Sequence, residues 1–428
     1  VINIAFSGLE AKIWHIRASY SYSDNDSLWG QGTRSLEFLK MLTNILEAAR
    51  YRVSITKVRV RHPFKKLFTT SSGMEPVRLN YSTIIGRSLV KVSRYLVSIG
   101  GEKPRKLLNH LDTLFMKCRV EDLVEKLKIM SHNTLNIIIF DDISSSYMFE
   151  NISILRNSSS LIIYLSHDFY LDSVPSLLRS TVKTYEGNLI ENTDLVVVSG
   201  CRDKELYRKE YGLKEEKLVT YANVFPPIDP PYTLNKLEKT IIQDKYSQIS
   251  IVLNAGFKLS EENLRQYVYE VNEAVKEMEG LRVVALGDRI SKVAREIKWG
   301  NNKLDVSPHI PDRISFLNYL SRGHIGINYA YKPMGTNVKR FDFALAGLVI
   351  LSRIMGARGE LLPYEYTYLD YADLKVKLSK MLGYDLENLK KMGYENRVEA
   401  LNIASKSYRE LKEKISQHLG RNFEDNKA

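Results

Sequence analysis

HIGINYAYKPMGTNVKRFDFALAGLVILSR, residues 324 to 353, reads as an apolar strand, a glycine-containing loop, a short helix, an Ala-Gly break and a second apolar strand. Ile325, Ile327 and Val349 to Leu351 supply the buried strands. Gly335-Thr336-Asn337 opens a helix whose first turns carry Lys339, Arg340 and Asp342. A helix N-terminus after a glycine loop presents unpaired N–H groups and the positive end of a dipole, which suits phosphate. Asp342, one turn in, is placed to accept hydrogen bonds from a sugar hydroxyl. Strand, loop and helix in this order predict half of a nucleotide site in an α/β domain.

The same alternation runs outward in both directions. Upstream, strands are expected at Lys12–Ala18, Arg52–Val60, Asn136–Phe140, Ser160–Leu165 and Leu195–Val198. Helices are expected from Thr33 to about Arg50, at Glu121–Met130 and up to Ile190, and Val1–Ser7 reads as an extra strand. Strands separated by helices imply a parallel sheet with crossovers on both faces. FPPIDPP, residues 225 to 231, then packs four prolines into six positions, a density that forbids helix and makes a stiff linker. Beyond it the pattern restarts, with strands at Ile249–Leu253, Leu281–Leu286 and Ile325–Asn328 and helices at Glu261–Met278 and Ile314–Leu320. Two amphipathic helices, Glu387–Ala404 and Tyr408–Leu419, and a polar tail close the chain. The expected division is 1–225, a Pro-rich linker 226–245, a second domain 246–405, and a C-terminal helix and tail 406–428.

The 428 residues suffice for two buried cores, and 44% hydrophobic with 26% charged residues is ordinary globular composition. No apolar run reaches the roughly 20 residues that span a bilayer. The start lacks the features of a secretory signal, and Cys118 and Cys201 make neither a disulfide framework nor a zinc site. A cytoplasmic protein is therefore expected. The net charge of +12 is concentrated: residues 57 to 106 hold twelve Lys/Arg against Glu75 and Glu102. Arg87, Lys91 and Arg94 fall on one helix face, with apolar Leu89, Val90, Leu96 and Val97 around them. That pattern suits an anionic membrane surface, at about 1 kcal/mol per basic residue, and equally a solvated face over a core. Nucleic acid is not expected, because no binding motif accompanies the charge.

Further motifs share an order along the chain. Gly30-Gln31-Gly32-Thr33-Arg34 precedes a helix and strand, and Leu161 to Asp168, LIIYLSHD, ends an apolar strand in His167-Asp168. Glu186 leads into Asn192-Thr193-Asp194-Leu195-Val196-Val197-Val198-Ser199, then Tyr211-Gly212-Leu213 and Tyr221-Ala222-Asn223-Val224. Leu253-Asn254-Ala255-Gly256-Phe257-Lys258 and Val283-Val284-Ala285-Leu286-Gly287-Asp288 each end a strand in glycine. In this order, over roughly Lys12 to Leu382, the chain resembles the GT-B-fold glycosyltransferases, especially the retaining group that uses nucleotide-sugars. It departs from them in three places. Phe257 stands where the family usually has Arg, Glu262 where it has Lys, and Met334 where it has the first of two Glu eight positions apart, Asp342 taking the second.

The resemblance implies an α/β fold of the GT-B type, two doubly wound Rossmann-like domains facing a central cleft. It implies a hexosyltransferase that moves a sugar from a nucleotide diphosphate-sugar to an acceptor hydroxyl with retention, needing no metal and no other cofactor. His167 and Asp168 would lie at the transferred sugar. Gly32, Gly256, Lys258, Arg265, Gly287, Gly335, Thr336, Asn337, Lys339 and Asp342 would bind the donor. Asp141-Asp142 at a strand end lacks the spacing of a metal-binding Asp-x-Asp. Arg87, Lys91 and Arg94 would hold the acceptor-side domain on the inner face of a membrane and present a lipid-linked acceptor or glycan precursor. A nucleotide-sugar epimerase, a phosphorylase and a non-catalytic binding protein remain as alternatives on the same scaffold.

Overall fold

The computed structural model describes residues 9–18, 30–60, 74–77, 79–81, 116–118, 134–141, 155, 161–172, 174, 176–242, 245–254, 260–330 and 338–419. The expected strand Val1–Ser7, the expected helix Glu121–Met130 and the tail from Gly420 lie outside them. The first unit contains β1 (Leu9–Ala18), α1 (Gly30–Ala48), β2 (Tyr51–Val60), β3 (Met74–Val77), β4 (Leu79–Tyr81), β5 (Met116–Cys118) and β6 (Thr134–Asp141). It continues with β7 (Leu161–Leu165), α2 (Ser176–Asn192), β8 (Leu195–Val198), α3 (Cys201–Tyr211) and β9 (Leu218–Thr220). Seven of these strands form a parallel sheet in the order β3-β2-β1-β6-β7-β8-β9, and β4 pairs antiparallel with β5. β7 and β8 are unbroken apolar runs because helices cover both faces of a central parallel strand. Phe38, Leu39, Leu42, Ile45 and Leu46 bury one stripe of α1 against Ile13, Ile137 and Ile163.

A helix α4 (Leu234–Thr240) follows the prolines, capped by Thr233. The second unit then runs β10 (Ser250–Asn254), α5 (Glu261–Val275), β11 (Arg282–Leu286), α6 (Asp288–Arg295), β12 (Lys303–Ser307), α7 (Arg313–Leu320) and β13 (Ile325–Asn328). It ends with α8 (Val338–Leu345), β14 (Val349–Arg353), β15 (Glu365–Tyr368), α9 (Tyr371–Leu382) and α10 (Leu386–His418). Its six strands are parallel, ordered β12-β11-β10-β13-β14-β15. The quoted stretch is β13, α8 and β14. α8 packs so closely on β13 that a Cβ at Gly326 would lie 2.5 Å from the Phe343 ring. Each sheet reverses its strand order once, between β1 and β6 in the first and between β10 and β13 in the second. Ligands of open α/β sheets collect outside the strand carboxyl ends at such reversals.

The closing helices expected at Glu387–Ala404 and Tyr408–Leu419 are one helix of 33 residues. Nothing between Ala404 and Tyr408 breaks a helix; the apolar stripe changes there because its partner changes. Ala400, Leu401 and Ala404 pack in the second unit, Leu411 and Ile415 in the first. Side chains of α10 also bond both units. Asn396 donates to the carbonyls of Leu348 and Tyr364, while Ser407 accepts from the amide of Ala222 and Glu410 from that of Thr220. Among the described residues no helix is long and apolar enough to cross a membrane.

Lys245 enters the second unit as a half-buried lysine. Its Nζ donates to the carbonyls of Gly323 (2.6 Å) and Gly347 (2.9 Å), ends of α7 and α8. Burial, with Arg397 and Lys390 nearby, pushes Lys245 down to about 7. The unfolded chain, with lysine near its ordinary value of 10.5, therefore binds more protons between pH 7 and 10.5. The folding penalty is full below pH 7 and is relieved as pH rises through that window. Lys245→Met is expected to remove a stabilisation of a few kcal/mol between pH 7 and 10 that the parent shows. Urea denaturation of both proteins across this range checks it; parallel curves would disprove the assignment.

Candidate active site

At the first reversal, three neighbouring strand ends bring together side chains far apart in sequence. His15 lies near the end of β1, Asp141 ends β6 and His167 follows β7. Nε2 of His15 is 2.8 Å from Oδ2 of Asp141, and Nε2 of His167 is 2.5 Å from Oδ1. The carboxylate is fully buried and the rings are 5% and 3% exposed. Burial pushes the Asp141 carboxyl up, but the two histidines outweigh it and hold the group well below the usual carboxylate range. A carboxylate accepts only, so each imidazole turns Nε2–H towards it. For His167 this leaves Nδ1, which has no hydrogen-bond partner among the described residues. The Ser35 hydroxyl lies 3.4 Å from Nε2 of His167, and Nη1 of Arg34 donates to the His167 carbonyl (3.3 Å).

The turn carrying His167 and Asp168 is braced from beneath. Ser166 donates to the Asp168 carbonyl (2.9 Å) and bonds the Tyr207 hydroxyl (2.8 Å). Buried Glu186 accepts from Tyr164, Tyr207 and Tyr211 at 2.8, 2.5 and 2.5 Å. Burial and the Glu186 charge push the Tyr207 hydroxyl well above its ordinary range, so it remains a donor. Gly30 and Gly32, expected in a loop before the helix, form the first turn of α1, so the backbone of Gly32 belongs to a helix N-terminus.

At the second reversal, Gly287 joins β11 to α6 with φ of 116°, a conformation that favours glycine. A cavity there is lined by Asn254, Leu286, Gly287, Asp288, His309 and Phe316. Lys339 extends from the first turn of α8 to the same place, its Nζ donating to the Asn254 carbonyl at 3.3 Å. Burial pushes Lys339 down to about 8, partly offset by Asp342.

Two expected donor ligands are engaged elsewhere. Arg265 lies on the solvent face of α5 in ion pairs with Glu296 (2.6 Å) and Glu261 (3.2 Å). Asp342, 6% exposed, is not an open carboxylate: it accepts from Nη2 of Arg313 at 2.6 Å. The same Nη2 donates to the carbonyl of Phe225, where the chain leaves the first unit (3.2 Å), so Asp342 serves the junction between units. Helical spacing placed both residues near the right strand ends but could not show which neighbour would claim each charge. Gly256, Lys258, Gly335, Thr336, Asn337, Arg87, Lys91 and Arg94 lie outside the described residues.

The two reversals face one cleft. Val338, opening α8, packs against the core of the first unit. Glu360, between β14 and β15, accepts from the amide of Cys201 at the start of α3 (3.1 Å). No protein-family model and no curated protein matches the sequence. Solved structures match it along nearly its whole length. Trehalose-6-phosphate synthase OtsA has a TM-score of 0.56 at 11% identity, over 96% of this chain and 99% of that one. Sucrose-phosphate synthase from Thermosynechococcus elongatus gives 0.53 at 13%, over 96% and 98%. Anabaena Alr3699/HepE, solved in complex with UDP and glucose, gives 0.53 at 11%, over 96% and 99%. The fold is GT-B. The GT-B frame extends to a UDP-N-acetylglucosamine 2-epimerase from Listeria monocytogenes, described as putative, at a TM-score of 0.50 and 10% identity over 97% of each chain. In this GT-B chain the buried His15–Asp141–His167 row lies at strand carboxyl ends of the first unit, and the Gly287 turn and Lys339 lie at those of the second. Sequence reasoning missed His15 and used Asp141 only to weigh a metal. The signal was a polar residue near the end of each of two apolar strands, and only the pairing of β1 with β6 joins them.

Proposed function

We propose that this protein is a glycosyltransferase that moves a sugar from a nucleotide diphosphate-sugar to an acceptor hydroxyl with retention. The observation that supports the reading is the pair of strand-order reversals, one with a buried carboxylate-histidine row at its strand ends and the other with a glycine turn and a half-buried lysine. The nucleoside would occupy the cavity at Gly287, Asp288 and His309, with the diphosphate running towards Lys339 and the N-terminus of α8. Lys339 would then offset leaving-group charge in the position that Phe257 and Glu262 leave without a cation. The acceptor would enter beside His167 and Asp168. Asp141 is fully buried with both oxygens held by histidines, so it is no nucleophile; a leaving phosphate oxygen would take the acceptor proton on the same face. A lipid-linked or glycan acceptor at a membrane surface, held by the basic segment with Arg87, Lys91 and Arg94, belongs to the same proposal.

One observation favours a second reading. His167 has Nε2 committed to Asp141 and Nδ1 without a partner among the described residues, the arrangement of an oriented general base. A base removing the acceptor proton would give inversion. Incubation with UDP-, GDP- and dTDP-sugars, followed by proton NMR of the anomeric centre, separates the readings. A retained anomer supports the proposal and an inverted one the second reading. Interconversion of donors would assign an epimerase, and binding without turnover would remove both transfer readings.

Lys339 supplies a further expectation. A diphosphate beside it raises its affinity for a proton, so binding should take up more than about half a proton at pH 8.5. Calorimetric titration of UDP in buffers of different ionisation enthalpy measures this. Lys339→Met should abolish the uptake and weaken binding about tenfold; unchanged uptake in the variant excludes Lys339 from the diphosphate site.

A further inference from the structure

Glu186 on α2 is fully buried, as are Tyr164 on β7 and Tyr207 on α3, and Ser166 is 2% exposed. Glu186 meets the hydroxyls of Tyr164 (2.8 Å), Tyr207 (2.5 Å) and Tyr211 (2.5 Å). Tyr207 meets Ser166 (2.8 Å), and Ser166 meets the Asp168 carbonyl (2.9 Å). Each such contact needs one hydrogen, and a hydroxyl has one to give. Tyr164, Tyr207, Tyr211 and Ser166 thus supply four hydrogens to five contacts. With Glu186 as a carboxylate the cluster is one hydrogen short. Tyr207 then turns to Glu186, and Ser166 serves either Tyr207 or Asp168 but not both. Two buried oxygens within 2.9 Å would face each other with no hydrogen between them, the costly case for buried polar groups. The approach of Tyr164 to Tyr207 at 3.5 Å adds to the demand. Further donors to Glu186 would bring their own hydrogens and leave the count unchanged.

A proton on Glu186 completes the inventory. Oε1–H then donates to Tyr207, Tyr207 to Ser166 and Ser166 to the Asp168 carbonyl, while Tyr164 and Tyr211 still donate to Glu186. The hydrogens of this chain all run one way, from α2 to the turn that carries His167. Two influences compete over the charge: hydroxyl donors favour the carboxylate, and complete burial favours the acid. The charged groups around the tyrosines are engaged with others. Lys183, 6.0 Å from the Tyr211 ring, and Arg179 pair with Glu210 at 3.1 and 3.9 Å, and Asp203 on α3 is taken by Ser199. The Phe169 ring closes the Tyr207 side with an apolar edge at 5.2 Å between centroids. We propose that Glu186 is a neutral carboxylic acid in the folded protein at neutral pH, a positioning residue whose proton sets the direction of the hydrogen bonds that hold the His167–Asp168 turn. The positioning role rests on reading that turn as the acceptor side of a transferase; the protonation does not.

Infrared difference spectra of the full chain against Glu186→Gln, in heavy water at neutral pH, test the charge. The parent should show the carbonyl stretch of a neutral acid that the variant lacks; a carboxylate signal in its place overturns the proposal. Denaturation gives a second readout. The folded acid keeps its proton above the ordinary glutamate value of about 4.3, so its stabilisation is complete below that value and is lost as pH rises towards the folded one. Relative to Glu186→Gln, the folding constant of the parent should drop about tenfold per pH unit between about pH 5 and 7. Parallel curves for the two proteins would contradict the assignment. Should Glu186→Gln fail to fold, Tyr207→Phe supplies the sign. It removes one hydrogen and two contacts, leaving three of each, so Glu186 should ionise and the acid band of the parent should vanish. A carboxylate that had lost a donor would instead become harder to ionise. Transfer by the parent should decline as pH rises through the loss of the acid band. The amide of Glu186→Gln, a donor at every pH, should show no such decline, and the same decline in both proteins removes the positioning role. An acid band without turnover of any nucleotide-sugar sinks the transferase reading alone. Turnover with an ionised Glu186 sinks this inference alone.

Discussion

On the inverting reading, in which His167 takes the acceptor proton, Asp141→Asn is expected to lower the rate of sugar transfer about 10³- to 10⁴-fold without unfolding the protein. The carboxylate accepts a hydrogen bond from a ring nitrogen on each side, at 2.8 and 2.5 Å. An amide has one acceptor and one donor end, so one histidine must change tautomer, rotate or lose its bond. A wrong tautomer alone costs about 10⁴ in the serine protease triad, where a buried carboxylate has the same orienting role. Activity should therefore collapse while the melting transition stays cooperative. The stability curve adds a second readout. The folded carboxyl is depressed from its ordinary value of 3.8, so its contribution is complete above about pH 4 and is lost as pH falls further. The Asn variant should lack that acid-side slope. Transfer reduced less than tenfold would show that His167 takes no proton and would favour the retaining reading.

Arg340→Met is expected to destabilise the second unit by about 3–5 kcal/mol. Nε of Arg340 lies 3.0 and 2.9 Å from the two carboxylate oxygens of Glu365, Nη2 also reaches Glu365, and Nη1 donates to the Arg358 carbonyl at 2.5 Å. Ser352 donates to the same carboxylate. The side chains of the pair are 1% and 5% exposed, so methionine would leave Glu365 charged, buried and uncompensated. The double variant Arg340→Met, Glu365→Leu should recover most of the loss, since removing both charges also removes the desolvation they suffer. Chemical denaturation of the two single variants and the double one measures the coupling. A double variant no better than Arg340→Met would mean that packing of the guanidinium matters more than charge. The pair also fixes the segment that carries Arg358 and Glu360, so Arg340→Met should disturb the cross-cleft contact to Cys201 as well.

Elements with a single strong period were legible in advance. α1 carries Leu39, Leu42 and Leu46 on one stripe, and β7 and β8 are continuous apolar runs; such segments have one way to bury themselves. The elements that went unread were short or mixed. β12 (KLDVS) is an edge strand without an apolar signature, and α6 (DRISKVAR) has too few residues for its period to register. α10 was legible as helix but not as one helix, because its apolar face serves two cores in turn.

The site divides in the same way. Gly287 and Lys339 could be singled out from local order, since a glycine at a strand end and a basic residue at a helix start announce themselves within a few positions. His15, Asp141 and His167 span 152 positions of chain in their two hydrogen bonds, with separations of 126 and 26. Asp342 and Arg265 show the converse: their positions were readable, their partners were not.

What the chain alone determined is the alternation of strand and helix on both sides of a proline-rich break, because burying apolar stripes of period 2 and 3.6 is a local demand met within each segment. What only the tertiary structure decided is which charges meet. Strand order set β1 beside β6 and β6 beside β7, and so joined two histidines to one carboxylate. The meeting of Glu360 with the α3 N-terminus, and of Asp342 with Arg313, follows from packing between units. Electrostatic partnership depends on distance in space, and a sequence records distance only along the chain.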